Sequence, residues 1–378
     1  MISAHSATEL LQELIRIPSV NPDGAPGQNA TGEKEMAGAV GSFLESCGAV
    51  VTYEEVLPQR PNVIGRFPGG HGKSGLLFAP HTDTVSVRGM TVDPFTAEII
   101  EGRIYGRGAS DTKGTMAAML WAIFELKETI PNLNTAVAFV GLMGEEAGQP
   151  GSKHFAKAHA EEFDFAVVGE PTNLETVHAH KGCVWLELSS EGRSCHGSTP
   201  ELGDNAILKM TPFIADLIKA LENRLAEFVD PVLGSPTVSL GKIEGGTSPN
   251  IVPSSCRITL DFRETPQLHA AGGSPALVAS ILEEMKIADL IAVRVIGDSV
   301  PLYTDPAVDG IKRLQSIGSS LTTAPWFCDA GRLAEAGLPA VACGPGKIDQ
   351  AHTKDEFLAI SDLNAGVEFY RQFLLSFA

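Results

Sequence analysis

The chain has 378 residues, 43% of them hydrophobic, which is enough apolar content for one large or two ordinary domains. Its formal net charge of −18, without any stretch rich in lysine or arginine, argues against a nucleic-acid partner. No apolar run approaches the ~20 residues of a membrane span, and the first residues lack the basic region of a signal peptide, so we expect no membrane partner and a cytoplasmic protein.

Helical and strand-like patterns alternate through the first half of the chain. Helices are predicted over 6–17, 32–47, 113–127 and 151–160, and short apolar strands over "NVIGRF", "SGLLFAP", "TAVAFVGLM" and "DFAVVG". The same pattern returns near the end, with the strand "PAVACGP" and a long helix through "LNAGVEFYRQFLLSF". Continuous apolar strands between helices predict an α/β fold with a mostly parallel sheet and helices on both of its faces.

The pattern changes between residues 178 and 297. A strand "CVWLELSSEG", a helix over 205–225, two strands "TVSLGKIEG" and "SSCRITLDFR", a helix "SPALVASILEEMK" and a strand "IAVRVIG" follow one another. The order β-α-β-β-α-β is that of the ferredoxin-like unit. We therefore predict one domain formed by 1–177 and 298–378, with a two-layer domain, 178–297, inserted into it.

A histidine or an acidic residue follows four of the five apolar strands of the first domain. These residues are His81 and Asp83 after "GLLFAP", Glu145 and Glu146 after "TAVAFVGLMG", Glu170 after "FDFAVVG", and His352 after "PAVACGPGKIDQA". A further acid, Asp111, closes "YGRGASD" just before a predicted helix. Because ligands of open α/β sheets bind at the carboxyl ends of the strands, we expect these side chains to form one site.

The residue types of this set favour divalent metal ions. Two imidazoles and three carboxylates suit zinc and related ions, and the six scattered cysteines predict reduced, buried thiols rather than a thiolate site. Five ligands are more than one four-coordinate zinc and its water can use, whereas two ions sharing a carboxylate would use them all. Adjacent residues of an extended segment point to opposite faces, so one of Glu145 and Glu146 can bind metal while the other takes a proton from water.

Several motifs resemble those of one enzyme family. They are "APHTDTV", "GRGASDTKG", "GEEAG", "GEPT", "GRSCHGSTPELGDNAI", "GGTSPNIVPSSCRITLDFR" and "GPGKIDQAHTKDEF". In this order they resemble the co-catalytic zinc amidohydrolases and peptidases, the family of acetylornithine deacetylase, succinyl-diaminopimelate desuccinylase, aminoacylase and glutamate carboxypeptidase. The resemblance covers nearly the whole chain and implies the zinc-exopeptidase-like α/β fold, in which the inserted domain is a lid and dimerisation domain.

The resemblance also implies a role for each matched residue. Two divalent ions, zinc first and cobalt or manganese as alternatives, would be held by His81, Asp111, Glu146, Glu170 and His352, with Asp111 as the bridge. Glu145 would be the general base, and Asp83 would orient His81. On the inserted domain, His196 would polarise the scissile carbonyl, in many relatives across a homodimer interface. Asn250 and Arg263 would contact the substrate.

The expected function is hydrolysis of the amide bond of an N-acylated amino acid by water that two metal ions activate. The segment "GPGKIDQAHTKDEF" is closest to the acetylornithine deacetylases, and the guanidinium fork of Arg263 suits a substrate carboxylate. A dipeptidase or carboxypeptidase, or a succinyl-diaminopimelate desuccinylase, could use the same site. A metal-binding protein without activity is a further alternative, which the presence of Glu145 and all five ligands disfavours.

Overall fold

The structure is a computed structural model that describes residues 4–24, 31–69 and 75–378. Its α-helices are α1 Ala7–Arg16, α2 Lys34–Ser46, α3 Lys113–Glu125, α4 Pro150–His159, α5 Ala206–Met210, α6 Ile214–Leu225, α7 Pro266–Ala270, α8 Gly273–Glu284, α9 Asp309–Ser316, α10 Ala330–Glu335 and α11 Ile360–Leu375. Its strands are β1 Val50–Leu57, β2 Arg60–Arg66, β3 Gly75–Pro80, β4 Ile99–Ile100, β5 Arg103–Tyr105, β6 Ala136–Gly141, β7 Phe163–Gly169, β8 Thr176–His180, β9 Gly182–Glu191, β10 Thr237–Gly245, β11 Ser255–Glu264, β12 Ala292–Ser299, β13 Leu302–Tyr303, β14 Leu321–Ala324, β15 Ala340–Ala342 and β16 Phe357–Ala359.

The described residues form two compact units. The first contains the chain up to His178 together with Thr304–Thr323 and Cys328–Ala378, and the second contains Ala179–Tyr303 and Ala324–Phe327. The domain that the sequence analysis predicts, residues 178–297, stays a prediction, because a compact unit is not by itself an independently folding domain. No helix in the described part of the chain is long and apolar enough to cross a membrane.

The first unit is built on a large mixed sheet with the strand order β1-β2-β6-β3-β7-β15-β8. The four central strands β6, β3, β7 and β15 are parallel, whereas β1, β2 and β8 run antiparallel to their neighbours. All six residues of β3 are buried, so both faces of the sheet are covered at its centre. The predicted first residue of this strand, Ser74, lies outside the described residues. The predicted α/β class is confirmed, with the parallel strands in the middle of the sheet.

Two groups of helices accompany this sheet. α1, α3 and α11 pack against one another, and α4 packs against α10. The aromatic rings of Tyr370 and Phe373 on α11 meet Phe78 of β3 edge to face, at centroid distances of 5.5 and 6.5 Å. Burying these large side chains together supplies much of the apolar contact that holds the helix on the sheet.

The second unit is a four-stranded antiparallel sheet, in the order β10-β11-β9-β12. This is the strand order of the predicted ferredoxin-like domain. In β9 and β11 buried and more exposed residues alternate, and the buried side chains form a core with α5, α6 and α8. The helix predicted over 205–225 is interrupted by a short 3₁₀ turn, Thr211–Phe213, because Pro212 has no N–H to continue the α-helical hydrogen bonds.

Candidate metal centre

The four parallel strands end at the same edge of the sheet, and each leads into residues that the sequence singled out. His81 follows β3, Glu145 and Glu146 follow β6, Glu170 follows β7, and His352 comes after β15. The sheet order β6-β3-β7-β15 makes these strands direct neighbours. The local cause is simple: each strand is a continuous apolar run that stops where polar residues begin, so the chemistry falls at the strand ends.

Asp111 lies between the two imidazoles. His81, Asp111 and Glu146 each offer one ligand atom, and these atoms lie within 4.8 Å of one another. Nε2 of His81 is 3.0 Å from Oδ1 of Asp111. Nε2 of His352 is 3.3 Å from the other oxygen, Oδ2 of Asp111, and 3.2 Å from Oε2 of Glu146. One carboxylate with an imidazole at each oxygen is the arrangement that a carboxylate shared by two ions needs.

Asp83 contacts His81 and also fixes the two glutamates. Nδ1 of His81 lies 3.0 Å from the main-chain carbonyl of Asp83 and 3.4 Å from its carboxylate, so the carbonyl is the nearer acceptor. The carboxylate oxygens accept the main-chain N–H groups of Glu145 and Glu146, each at 3.0 Å. The amide of Asn21 donates to the same carboxylate at 2.7 Å. Sequence reasoning missed Asn21 and this second use of Asp83.

Burial and crowding raise the pKa values of several acids of the centre. Burial raises the pKa of Glu145 well above its usual range; the charge of His81 opposes this, and the charges of Asp329, Glu170 and Glu146 add to it. Burial likewise raises the pKa of Glu170, helped by the charge of Asp111. Taken together, the acids cannot all be ionised in a buried space without positive charge beside them.

The pKa values of Asp111 and the imidazoles shift so that these groups carry opposite charges. Burial opposes ionisation of Asp111, but hydrogen bonds from His352 and His81 outweigh it and lower its pKa. Hydrogen bonds to Asp111 and Glu146 raise the pKa of His352 to about 10. Burial lowers the pKa of His81, yet the hydrogen bonds and charges of Asp111 and Asp83 raise it well above the usual range. In the metal-free protein, protons on the two imidazoles therefore link His81 and His352 to the carboxylate of Asp111.

The orientation of His81 tests whether these residues fit a metal. The carbonyl of Asp83 can only accept a hydrogen bond, so Nδ1 of His81 carries a proton. In the neutral ring, Nε2 then has a lone pair that faces a carboxylate oxygen 3.0 Å away. Two acceptors at this distance need a cation between them, either a proton or a metal ion. The donor set of nitrogen and carboxylate oxygen therefore fits divalent ions.

Asp329 is a further acid of this region that the sequence did not reveal. It is buried at the start of α10, and its Oδ1 accepts a hydrogen bond from Oγ of Ser152 at 2.5 Å. Burial raises its pKa to about 6. No strand was predicted just before Asp329, so the strand-end rule that found the other acids did not apply to it; in the structure the short strand β14 ends at Ala324.

The three remaining predicted residues lie in the second unit, and two of them come close together. His196 and Ile251 form a β-bridge, and the N–H of Gly197 donates to the carbonyl of Asn250 at 2.8 Å. Nδ1 of His196 accepts the N–H of Ser198 at 3.1 Å, so the proton of the neutral ring is on Nε2. An open groove of about 550 Å³ runs along these segments, lined in part by 245–249 and 251–253.

Arg263 is at the other end of the same sheet. It pairs with Cys183 in the ladder near the end of β11, whereas the segments of His196 and Asn250 leave the sheet after Glu191 and before Ser255. Its guanidinium binds Asp261 with two hydrogen bonds, from Nε at 2.8 Å and from Nη2 at 3.1 Å. The structure therefore does not bring Arg263 to Asn250, and its fork is occupied by an acid of its own strand.

Comparison with known proteins gives one family and one fold. The profile of peptidase family M20/M25/M40 matches residues 77–376. A protein named acetylornithine deacetylase from Vibrio cholerae serotype O1 is 29% identical over 374 residues, which cover 96% of each chain. A metallo-carboxypeptidase from Sulfolobus solfataricus has a TM-score of 0.74 at 22% identity, with 98% of this chain and 99% of that one covered. A dinuclear metal-binding peptidase from Bacillus subtilis has a TM-score of 0.70 at 14% identity, with 98% and 97% covered.

Metal binding should release protons, because both imidazoles carry a second proton, and so a positive charge, at neutral pH when no metal is present. The pKa of His352 is about 10 and that of His81 is also raised, so these rings must each lose a proton to bind an ion. Raising the pH from about 6 to about 9 weakens this competition without ending it, because the pKa of His352 is about 10, and we expect affinity for zinc to rise over that range. Titration calorimetry in buffers of different ionisation enthalpy measures the protons released. Heats that are independent of the buffer would contradict the expectation.

Proposed function

The chain belongs to peptidase family M20/M25/M40 and is a hydrolytic enzyme, and from this premise we propose that it cleaves the amide bond of an N-acylated amino acid with the help of two metal ions. One observation carries the proposal: the Asp111 carboxylate lies between the imidazoles of His81 and His352, at 3.0 and 3.3 Å, and the buried Glu145 lies near enough to His81 for their charges to interact. A metal-binding protein without activity would not need Glu145, a buried acid that is not one of the proposed ligands.

Five residues would hold the ions: His81, Asp111, Glu146, Glu170 and His352. Zinc is the first choice, and cobalt or manganese would suit the same nitrogen and oxygen donors. When bound, the ions would act as Lewis acids that polarise the amide carbonyl and make water more acidic. Asp83 would keep the His81 ring in the tautomer that presents Nε2, through the contact of Nδ1 with its carbonyl.

Glu145 would be the general base. Its main-chain N–H is fixed by the carboxylate of Asp83, and its side chain is buried. Burial raises the pKa of Glu145 in the metal-free protein, and the positive charge of bound ions would favour the ionised carboxylate that a general base needs. It would take a proton from the attacking water at its carboxylate oxygen and give it to the nitrogen of the leaving amine, so that no proton is consumed overall.

The substrate that we propose is an N-acyl amino acid of the acetylornithine type. The 29% identity with acetylornithine deacetylase over 96% of both chains supports it. A dipeptidase or carboxypeptidase, or a succinyl-diaminopimelate desuccinylase, remains the alternative, since each cleaves an amide next to a carboxylate. For Arg263 to bind a substrate carboxylate, that carboxylate would replace Asp261 at the guanidinium.

The second unit would act as a lid in a homodimer. Ser255 and Arg263 are eight residues apart on β11 (263 − 255 = 8), which is about 26 Å at about 3.3 Å per residue. One small substrate cannot reach both ends of this strand. If His196 and Asn250 beyond one end and Arg263 at the other all serve catalysis, the simplest arrangement takes them from two copies of the unit. This supports a homodimer in which His196 acts across subunits.

A panel of amide substrates tests the proposed activity. The zinc- or cobalt-loaded protein should hydrolyse N-acetylornithine or another N-acetyl amino acid faster than N-succinyl-diaminopimelate or simple dipeptides, as measured by the appearance of free amine. The metal-free protein is the control, and it should be inactive until metal is returned. A preference for dipeptides would replace the proposed substrate with the peptidase alternative, and no hydrolysis of any member would refute the proposal.

Replacing Glu145 by Gln should abolish turnover without loss of metal. The amide keeps the size of the side chain but cannot accept the proton of water, which costs roughly 10²–10⁴-fold in kcat. Metal content by elemental analysis and kcat are the two measurements. Glu161→Gln, the same change at an exposed position of the first unit, is the matched control and should leave both unchanged. Turnover near that of the control would show that Glu145 is not the base.

Replacing His196 by Ala should lower kcat while both ions remain bound. Loss of one hydrogen-bond donor to the developing oxyanion costs roughly 10²–10³-fold, with a modest change in KM. His269→Ala, another histidine of the second unit, is the control.

Mixing His196→Ala with Glu145→Gln subunits tests the contact across the dimer. Each variant alone should keep only a small fraction of the activity, but a hybrid dimer would have one site with both groups intact and should regain activity. Subunit exchange is checked with a mass-tagged chain. If exchange occurs and activity does not return, His196 does not act across subunits.

A further inference from the structure

The carboxylate of Glu356 is completely buried in the first unit and receives four hydrogen bonds from one short loop. Oε2 accepts from Nη1 of Arg107 at 2.6 Å and from the N–H of Gly108 at 3.0 Å. Oε1 accepts from the N–H groups of Ser110 and Asp111, both at 2.9 Å. Each oxygen thus has two donors, and the last donor is the main chain of the residue that lies between the two imidazoles.

Within the loop 106–110, the N–H of Arg107 donates to the carbonyl of Pro94 at 2.9 Å and that of Ala109 to the carbonyl of Gly106 at 3.1 Å, whereas the N–H groups of Gly108 and Ser110 donate to the Glu356 carboxylate. The loop runs from the end of β5 to the start of α3 and turns through Gly108, whose φ of +82° is a left-handed conformation that favours glycine. A Cβ at Gly108 would come within 2.9 Å of the side chains of Lys113 and Thr84. Buried N–H groups in such a loop need acceptors, and the Glu356 carboxylate provides them.

Glu356 is also close in sequence to His352, and its own segment is attached to the same part of the chain. β16 pairs with β5, with Phe357 opposite Tyr105. The N–H of Gly106 donates to the carbonyl of Glu356 at 3.1 Å, and Nη2 of Arg107 donates to the carbonyl of Thr353 at 3.2 Å. The main chain on both sides of Glu356 is therefore fastened to the loop that leads to Asp111.

We propose that Glu356 is a positioning residue, which fixes the Asp111 carboxylate and the His352 imidazole relative to each other before any ion binds. Both side chains come from distant parts of the sequence, yet Oδ2 of Asp111 and Nε2 of His352 lie 3.3 Å apart. The hydrogen bonds of Glu356 join the segment that carries Asp111 to the segment that carries His352. The inference rests on the proposed function only in that metal ions bind at these residues.

Glu356→Gln tests the proposal through metal affinity rather than activity. The amide has one accepting oxygen and an NH₂ group that faces donors, so two of the four hydrogen bonds are lost with almost no change of volume. Loss of such a supporting contact typically lowers metal affinity about 10–100-fold. Competition with a chelator measures the affinity, and the visible absorption of the cobalt-substituted protein reports whether the ligand geometry has changed.

Two further variants separate positioning from charge and from general destabilisation. Glu356→Asp keeps the charge but is one methylene shorter, so positioning predicts that it also binds metal weakly and with an altered cobalt spectrum. Glu264→Gln removes another buried carboxylate, in the second unit, which accepts the N–H of Ser274 at 2.5 Å. This control should keep the affinity and the cobalt spectrum of the unaltered protein. Full affinity in Glu356→Gln, or full recovery in Glu356→Asp, overturns the proposal.

Hydrogen exchange in the unaltered protein provides a test that no variant can obscure by failing to fold. In the metal-free protein, the amides of Gly108, Ser110 and Asp111 should already be protected, because their acceptor is the side chain of Glu356 and not an ion. Rapid exchange at these amides that slows only after metal is added would show that the ions order the loop, and would overturn the proposal. A protein whose affinity for two ions depends on Glu356 but which hydrolyses no substrate of the panel would refute the proposed function alone.

Discussion

The burial of many like charges is the constraint on which the first unit depends. Asp83, Asp111, Glu145, Glu170 and Asp329 are all buried at one edge of the sheet. In a medium of low dielectric constant their mutual repulsion and loss of hydration would favour protonation or unfolding unless cations and hydrogen-bond donors stand beside them. The raised pKa values of Glu145 and Glu170 express this tension, and the two imidazoles relieve part of it at Asp111. A centre of this kind lowers the stability of the fold, and burial of the large apolar core of the sheet and helices must offset this loss.

A second layer of buried polar side chains holds the loops that carry the centre. The carboxylate of Asp83 binds the main chain of the paired glutamates, and Asn21 holds that carboxylate in turn. Asn62 of β2 accepts a hydrogen bond from the N–H of Met143 at 3.0 Å and donates one to the carbonyl of Gly151 at 2.9 Å. Its side chain therefore holds both ends of the loop that follows β6. Loops fixed at several main-chain groups lose little entropy when a ligand binds, so the proposed metal ligands would be arranged before an ion binds.

Sequence patterns predicted the central strands because their apolar runs are long and buried on both faces. They predicted the edge of the site because a parallel sheet delivers all its strand ends to one side. Strands that lack this signal were missed: β1 is at the edge of the sheet and half exposed, and β5 and β16 have three residues each. The roles of Asp329 and Glu356 were hidden for a different reason. Each is one acid among the 46 acidic residues of the chain, and the hydrogen bonds of Glu356 reach residues about 245 positions away. Only tertiary contacts distinguish it from a solvated glutamate.

The pairing of Arg263 with Asp261 bears on how the second unit could recognise a substrate. Exchanging one carboxylate for another at a guanidinium changes little in charge or hydrogen-bond number, so the exchange itself adds little affinity. Asp261 would not be left without a partner, because Nε1 of Trp185 donates to its Oδ2 at 2.8 Å. An arginine held in this way selects for a carboxylate by shape and charge while it binds it weakly. Under the proposed function, tighter contacts would then have to come from the metal centre, where binding energy can be used in the transition state.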